Sequence, residues 1–540
     1  MIEKSSGHKR NIHKNTYPTK ISKSLLQNRL KPLIDKINRI ESGKNIPDDW
    51  LLKLKPSIDY LVSPNPKRNY SNFPDQPLLL DAKIAHQKGT ITYDEDGILT
   101  LTHPDLLKLP QFSNRKPSVT INLDHQFPDD ITMTFNSLNK SLSAIDNSPR
   151  TRDGKTLRQI YDRERNIFEK KKIDAFQKGR WAPDYGTYMY LPDEEEIHLI
   201  APEWFHRLSL ITSTSILNKD PQQQLRWEQT RQILEQKVVG VIGASVGGNI
   251  IYGYGRDARP KRGKLADNDF LENGNLNRMI GSSIRNLTGS RASKLGGLFF
   301  DPDTLQKKSK PAEIKMIRDI LRNPDVISFK NKAQELAKTI LKSDPYTQID
   351  VYNEGINWEN VLQFLLGDGI QEPPVDIVIE EVDKGRVKYE MRVLCKILGI
   401  PLMMVSDFGD KTQFQFYDWP SRNDSIGYNV SDDTVRRLLE KAESEKTMSA
   451  FFDFVEALCG PSFRDPTTPF GSWVAGIGEQ MGSALPQKGV TALDAGGIGG
   501  RKVIQYFLGH HIPKYIVIDH LKDEIIIQER DTKKRLHPSS

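Results

Sequence analysis

A glycine-rich turn between an apolar run and a helix is the first place where this sequence could do chemistry. Residues 237–242 are almost continuously apolar, as expected for a buried parallel strand. Small residues let a backbone approach a phosphate, and the amino end of the next helix favours negative charge. A serine replaces the middle glycine of the usual pattern, so the turn predicts a nucleotide phosphate site, with a ligand-free strand-to-helix turn as the alternative. The residues concerned are Gly243, Ser245, Gly247 and Gly248.

Two carboxylates follow the next predicted strand. Asp267 lies 24 residues after Gly243, and an acidic residue near that offset commonly accepts hydrogen bonds from ribose hydroxyls. Asp269 adds a second carboxylate. An ordinary acidic turn is the alternative, but the pair together with the glycine turn favours nucleotide binding.

Residues 265–279, with the sequence LADNDFLENGNLNRM, carry a more specific pattern. An Asp-x-Asp followed by Asn-Leu-Asn-Arg resembles the adenylating enzymes of thiamine and molybdopterin biosynthesis and the ubiquitin-activating enzymes, the ThiF family. The resemblance covers about residues 195–540, is densest at 237–410, and is closest to bacterial stand-alone members. The matching positions are Asp267, Asp269, Asn275, Asn277 and Arg278.

The resemblance implies binding of Mg-ATP and attack on its α-phosphate by a carboxylate, usually a protein or peptide C-terminus. The products would be an acyl-adenylate and pyrophosphate. The resemblance also implies a possible homodimer. A catalytically reduced nucleotide-binding regulator or scaffold is one alternative function, and an NAD(P)-dependent oxidoreductase is another. The Asn-Leu-Asn-Arg segment argues against the oxidoreductase, which needs no cations around a triphosphate.

The resemblance also assigns catalytic roles. Arg278 offers a planar donor fork for phosphate and Lys332 a point charge. Asp383, after the predicted strand at 376–380, could hold Mg²⁺ directly or through water. Asn275 and Asn277 could donate to phosphate or brace the loop that carries Arg278. Surface ion pairs for the two cations, and a helix cap for Asp383, are the alternatives.

Three departures from the family pattern limit these expectations. A basic insertion at 280–330 makes Lys294 an alternative to Lys332 as the phosphate-binding lysine of the family pattern. We prefer Lys332, because the helix that begins there has the right length to Asp344. The upstream stretch at 208–218 lacks the arginines of many relatives, with Arg207 alone at its edge, so one phosphate contact could be missing.

The third departure concerns a nucleophile for thioester chemistry. Cys395 lies in an apolar run and is expected to be a core residue. Cys459 ends an apolar helix, and its position along the chain is compatible with a nucleophile. No histidine or basic cluster is expected to adjoin it, so no nucleophile is assigned. The chain would then stop at the adenylate or let another nucleophile take the acyl group.

Alternating strands and helices are expected to position these residues. They predict an α/β fold with a doubly wound, Rossmann-like adenylation domain over residues 191–540. A final hairpin is expected at 515–519 and 524–528. The strands are predicted at 237–242, 264–266, 348–352, 376–380 and 401–405.

Residues 1–190 are expected to form an additional N-terminal α+β region of unknown role. Residues 1–20 are predicted to be disordered, 21–40 to form an amphipathic helix, 90–102 a hairpin, and 151–180 a charged, exposed helix.

Composition excludes several classes of protein. With two cysteines in 540 residues, neither a disulfide framework nor a four-cysteine zinc site is possible. A net charge of +7 without a recognition motif predicts no nucleic-acid partner. The absence of a long apolar run predicts no membrane span and, with the reduced cysteines, a cytoplasmic protein.

Overall fold

The structure is a computed structural model. It describes residues 22–42, 48–63, 76–93, 98–108, 118–122, 131–132, 134–136, 139, 155–177, 184–192, 194, 196–203, 205–207, 230–271, 275–282, 330–369, 371–460, 462, 489–529 and 532–536. The predicted disorder at 1–20, the rival Lys294, most of the insertion at 280–330 and the stretch at 208–218 lie outside these residues.

The described elements alternate between helix and strand in the second half of the chain. The helices are α1 Lys23–Glu41, α2 Lys55–Val62, α3 Ala82–Gln87, α4 Leu157–Gln177, α5 Val246–Ala258, α6 Lys332–Ser343, α7 Val361–Leu366, α8 Gly385–Leu398, α9 Asp432–Glu445, α10 Met448–Cys459 and α11 Gly489–Phe507. The strands are β1 Leu78–Asp81, β2 Ile91–Tyr93, β3 Ile98–Thr102, β4 Ser118–Asn122, β5 Thr187–Leu191, β6 Glu196–Ile200, β7 Val239–Ile242, β8 Arg262–Ala266, β9 Gln348–Tyr352, β10 Ile377–Glu380, β11 Leu402–Asp407, β12 Lys411–Tyr417, β13 Tyr515–Asp519, β14 Glu524–Glu529 and β15 Thr532–Leu536.

A mixed sheet of nine described strands organises the second half of the chain. Its order is β9-β8-β7-β10-β11-β12-β13-β14-β15, with parallel pairing from β9 to β11 and antiparallel pairing from β11 onward. The chain thus builds outward from β7 to one side, and then returns to add β10 and β11 on the other side. The α/β prediction is confirmed, and so are the five predicted strands and the final hairpin.

Helices pack on both faces of this sheet. Successive strand residues point to opposite faces, and the strand β7 follows this rule. Val239 and Val241 belong to a core shared with α5, α6 and α11. Val238 and Ile242 belong to a second core shared with α7 and α8. Because both sides of β7 are buried, its sequence is a continuous apolar run rather than an alternating one.

The first two helices belong to the second of these cores. Leu30 and Leu33 of α1 and Leu61 of α2 are fully buried in it. Asp48, between the two helices, accepts a hydrogen bond from the hydroxyl of Tyr389 in α8 (2.5 Å). Residues 22–42 and 48–62 are therefore packed on the layer of helices that covers the sheet. The predicted helix at 21–40 is confirmed as α1.

The rest of the N-terminal region forms two small antiparallel sheets, β1-β5-β6 and β2-β3-β4. The predicted hairpin is confirmed as β2 and β3. The predicted charged helix is confirmed as α4, but it is not simply exposed, because Tyr161 and Phe168 on one face are fully buried. The predicted boundary at residue 190/191 falls inside the hairpin of β5 and β6. The division into two domains stays a prediction.

None of the helices in the described part of the chain is long and apolar enough to cross a membrane.

Candidate functional site

A cleft of about 520 Å³ opens at the carboxyl ends of the parallel strands. It lies where the chain order reverses, between β7 and β10, which is the usual place for ligands in open α/β sheets. Its wall includes residues that end or follow all five parallel strands. The residues predicted from the sequence that line it are Gly243, Ser245, Asp267, Asp269, Arg278, Lys332 and Asp383.

Gly243 sets the path of the glycine turn. Its φ is +94°, and a Cβ added there would lie 2.5 Å from the carbonyl oxygen of Glu381 after β10. Only glycine fits such a conformation and approach without strain. Gly247 and Gly248 have a different role, because added Cβ atoms would meet Val241 and Leu336. They let α5 pack against β7 and α6, and neither is among the described residues that line the cleft.

Asp267 ties the end of β8 to the glycine turn. One carboxylate oxygen accepts the backbone N–H of Ala244 (2.6 Å), and the other accepts that of Asp269 (2.8 Å). Burial raises the pKa of Asp267 above its ordinary value, while the two amide donors act in the opposite direction. Each carboxylate oxygen keeps a further acceptor site, so the group can still accept from ribose hydroxyls.

Lys332 is the first residue of α6 and lies beside Asp269. Its ammonium group is 3.0 Å from the Asp269 carboxylate, and its backbone N–H donates to the Asp269 carbonyl. Asn331 caps α6 by accepting from Gln334, and its amide donates to the carbonyl of Asp267 (2.8 Å). The cap therefore fixes the amino end of α6, and with it Lys332, against the loop after β8.

Arg278 projects from a short turn and donates from Nε to the hydroxyl of Ser245 (3.2 Å). The turn is held by Asn249 of α5, whose amide donates to the carbonyls of Arg278 (2.7 Å) and Ala492 (3.1 Å). The carbonyl of Asn275 accepts the backbone N–H of Arg278. The sequence reading missed Asn249, which has a recognisable signal as a polar residue in the apolar first half of its helix.

The two predicted asparagines do not face the cleft. Asn275 is buried and Asn277 is exposed, and neither is among the described lining residues. A Cβ on Gly489 would lie 2.0 Å from the Asn277 carbonyl, so α11 begins directly against this turn. The backbone of both residues therefore takes part in the turn, and the role of their side chains stays a prediction.

Asp383 is an exposed carboxylate at the cleft, two residues after Glu381. The described residues contain no cluster of three or more potential metal ligands. A single carboxylate fits Mg²⁺, because this ion usually keeps waters and shares its other positions with substrate phosphates. Glu381, which the sequence reading missed, also lines the cleft, and burial raises its pKa to about 8.

Cys459 also lines the cleft, and here one expectation is corrected. Lys388 and Arg392 of α8 lie close enough to act on its thiol, so a basic cluster does adjoin it in space. Burial nevertheless raises the pKa of Cys459 above its ordinary value, so the thiolate is disfavoured. Cys395 is fully buried in the core as expected, and burial raises its thiol pKa strongly.

Arg207 lies away from the cleft. Its guanidinium is buried, donates to the carbonyl of Arg259 (2.8 Å) and faces Asp344 (3.7 Å). Arg259 follows the carboxyl end of α5, whereas the cleft lies at the amino end. Arg207 therefore supplies no phosphate contact within this chain, as the sequence departure indicates.

Comparisons with known proteins give a short match in sequence and a distant likeness in structure. No protein-family model matches the chain. A curated protein of Mycobacterium tuberculosis (strain CDC 1551 / Oshkosh), "Uncharacterized protein MT1398", is 33% identical over 88 residues, which are 16% of this chain and 11% of that protein's length. The chain thus matches about a ninth of this relative.

Solved structures resemble the chain weakly. A crystal structure of PaaA is 12% identical with a TM-score of 0.33, covering 62% of this chain and 82% of that one. E. coli MccB with MccA-N7isoASN is 13% identical with a TM-score of 0.34, covering 59% and 72%. E. coli MccB with ATP is 12% identical with a TM-score of 0.32, covering 60% and 72%. At these TM-scores no assignment of family or activity rests on the likeness.

Proposed function

We propose that this chain is an ATP-dependent adenylyltransferase of the ThiF and ubiquitin-activating type that activates the carboxylate of a protein or peptide C-terminus. The observation that carries the proposal is that Asp267, Arg278, Lys332 and Asp383 line the same cleft as the glycine turn. The parallel strand order β9-β8-β7-β10-β11, with helices on both faces, supports the doubly wound, Rossmann-like assignment.

ATP would bind with its ribose at Asp267 and its phosphates at the amino end of α5. Ser245 and Val246 at that helix end line the cleft, and Ser245 makes no capping hydrogen bond to its own helix. The helix amides are therefore available to an anion, and the helix dipole favours its negative charge. Arg278 and Lys332 add two cations at the same cleft.

The reaction is written as an in-line displacement. An oxygen of the substrate carboxylate bonds to the α-phosphorus, and the bond from that phosphorus to the oxygen bridging to the β-phosphate breaks. Pyrophosphate leaves with the electron pair, and no proton transfer is needed because the carboxylate is already ionised. Arg278 and Lys332 would stabilise the charge that develops on the phosphate oxygens, so catalysis is positioning and electrostatics.

Asp383 is the residue that would hold Mg²⁺ together with the nucleotide phosphates. The ion would supply neutralisation of the triphosphate charge when bound. The exposure of Asp383 at the cleft supports this role. Lys332 rather than Lys294 is our choice for the phosphate lysine, on the support of its ion pair with Asp269.

The regulator or scaffold remains the second candidate, and one observation favours it. Arg207 is buried against Arg259 and Asp344 and cannot reach a nucleotide in this cleft. A triphosphate site with one cation fewer than its relatives could bind ATP and turn it over slowly. Dimer formation and a cytoplasmic location stay predictions.

Pyrophosphate exchange into ATP tests the proposal. A panel of peptides and ubiquitin-like proteins should include one that supports exchange. Arg278→Ala and Asp383→Ala should lower the rate by about a hundredfold or more, because each removes a charge that acts on the transition state. Arg256→Ala is the matched control, since Arg256 is exposed on α5 outside the cleft.

Other outcomes would point elsewhere. ATP binding without exchange on any substrate would favour the regulator. Tight binding of NAD(H) with no affinity for ATP would overturn both and favour the oxidoreductase.

A further inference from the structure

One end of the cleft is apolar and serves none of the nucleotide contacts described above. The apolar wall consists of Met448, Phe451, Phe452 and Val455 of α10 together with Phe408 after β11. Phe452 and Phe408 are buried, whereas Phe451 and Val455 are partly exposed to the cleft.

The apolar wall lies on the opposite side of β7 from the proposed ribose acceptor. Asp267 follows β8, whereas Phe408 follows β11, and the sheet order between them is β8-β7-β10-β11. Three strand spacings separate β8 from β11, which is about 14 Å. A nucleotide with its ribose at Asp267 and its phosphates on α5 therefore leaves the β11 side of the cleft to the second substrate.

A cation lies on the same side of the cleft as the apolar wall. Lys388 of α8 lines the cleft, and its ammonium group is 2.6 Å from Glu380 and 3.5 Å from the sulfur of Met404. Burial opposes the charged form, but the Glu380 carboxylate keeps the pKa of Lys388 raised. Arg392 also donates to Glu380 (3.3 Å), so two cations share one carboxylate. Within these three groups the two cations exceed the one carboxylate by a single positive charge, which complements an anion.

We propose that Lys388 and the apolar wall form the subsite for the acyl substrate. The ammonium group of Lys388 binds the terminal carboxylate of a peptide, and the apolar wall takes an apolar or aromatic side chain from its last residue. The substrate class is therefore a peptide or protein that ends in a large apolar residue. This inference rests on the proposed function, because it assigns the side of the cleft that the nucleotide does not use.

Direct binding tests the subsite without requiring turnover. The full chain, saturated with a non-hydrolysable ATP analogue and Mg²⁺, is titrated calorimetrically with three acetylated tripeptides. They end in phenylalanine, in glycine, or in phenylalanine amide. The phenylalanine peptide should bind about tenfold or more tightly than the glycine peptide, since it buries an aromatic side chain. The amide should lose about tenfold because it has no charge for Lys388.

Variants then assign the two contacts. Lys388→Met should weaken both carboxylate peptides about tenfold, whereas Lys388→Arg keeps the charge and should stay within about threefold. Lys396→Met is the matched control, because Lys396 lies on the same helix outside the cleft and pairs with Asp432. Phe451→Ala should lower the ratio of phenylalanine to glycine affinity and leave the affinity for the ATP analogue unchanged.

Several outcomes would overturn the subsite. Equal binding of all three peptides to the unaltered protein, or no binding of any, would overturn it. This test holds even if the Lys388→Met variant fails to fold. A Phe451→Ala variant that binds the ATP analogue less well would show that the apolar wall holds adenine instead. If the binding tests are negative but pyrophosphate exchange persists, the proposed function still holds and only the subsite is ruled out.

Discussion

At the scale of single residues, the cleft combines groups whose burial changes their ordinary chemistry. Asp267 is held by two backbone amides, and Lys332 is held by a helix cap, so both are positioned before any ligand arrives. Cys459 shares the cleft but lacks the environment of a reactive thiol. This difference separates adenylation, which needs fixed charges, from thioester transfer, which needs a thiolate.

The reactivity of Cys459 tests that distinction. In a Cys395→Ala variant, where Cys459 is the remaining cysteine, alkylation by iodoacetamide near neutral pH should be much slower than for free cysteine. The reason is that burial raises the thiol pKa and restricts access. Mass spectrometry against time gives the rate. Alkylation as fast as free cysteine, or a thioester with a substrate, would contradict the assignment.

Glu381 should give the protein a specific dependence on pH. Its folded pKa of about 8 lies above the ordinary 4.5, so between these values the folded protein holds a proton that the unfolded chain releases. This contribution to stability is fully present below about pH 4.5 and is lost as the pH rises through about 8. The glutamine of the Glu381→Gln variant stays neutral at every pH. The melting temperature of this variant minus that of the parent should therefore increase between about pH 4.5 and about pH 8.

Thermal unfolding at about pH 5 and about pH 8 measures the effect. Glu359→Gln, which alters an exposed glutamate outside the cleft, is the control. A Glu381→Gln difference that does not change with pH would contradict the raised pKa.

At the scale of elements, the turn between β7 and α5 links the sheet to the site. Gly243 approaches the chain after β10, and Gly247 and Gly248 let α5 pack on its neighbours. The amino end of the helix therefore reaches the cleft because three positions lack side chains.

Gly243→Ala should lower the free energy of unfolding by about 2 kcal/mol or more, because the new methyl would combine a positive φ with a backbone clash. Gly255→Ala on the same helix is the matched contrast. A Cβ there meets nothing within 4 Å, so alanine should stabilise by roughly 0.5 to 1 kcal/mol. Urea unfolding compares the two, and equal effects would contradict the packing role of Gly243.

Element prediction from the sequence succeeds where one physical signal dominates. The strand β7 is buried on both faces, so its run of apolar residues is unambiguous. The strand β12 was missed, although Phe414 and Phe416 alternate with glutamines, because all four side chains are buried and the polar ones signal exposure. Those glutamines donate to the Cys459 carbonyl, a contact between distant segments that no local pattern reveals.

The residues of the site are likewise predicted from the sequence only in part. The motif at 267–278 predicts which types of residue gather, and the cleft contains most of them. Asn249 and Lys388 belong to no recognised motif, and their places at the site arise only when α5 and α8 pack against the sheet. Asn275 and Asn277 belong to the motif, yet neither is among the described residues that line the cleft, and a sequence pattern alone does not distinguish a ligand contact from a brace.

At the scale of the whole molecule, the first helices complete the core behind the cleft. Trp50 packs against Trp358 with ring centroids 5.3 Å apart, and Ser57 donates to the carbonyl of Glu359. Residues 22–42 and 48–62 therefore support α7 and α8, and α8 carries Lys388. The small sheet β1-β5-β6 contacts the other end of the main sheet, where Tyr346 donates to the carbonyl of Ala201 (2.7 Å).

Leu33→Ala in α1 should therefore destabilise the same unfolding transition that destroys nucleotide binding. A fully buried leucine replaced by alanine costs about 2 to 5 kcal/mol. Leu25→Ala, on the exposed face of the same helix, should change the stability by less than about 0.5 kcal/mol. Urea unfolding is followed by fluorescence and by ATP binding. Unfolding of α1 in a separate, earlier step would contradict this account.

Product analysis tests the central claim most directly. The chain is incubated with Mg-ATP, a peptide that supports exchange, and hydroxylamine to capture the acyl group. We predict AMP and pyrophosphate in equal amounts with the peptide hydroxamate, because the carboxylate attacks the α-phosphorus. ADP and orthophosphate would contradict the account, since they would place the attack at the γ-phosphate.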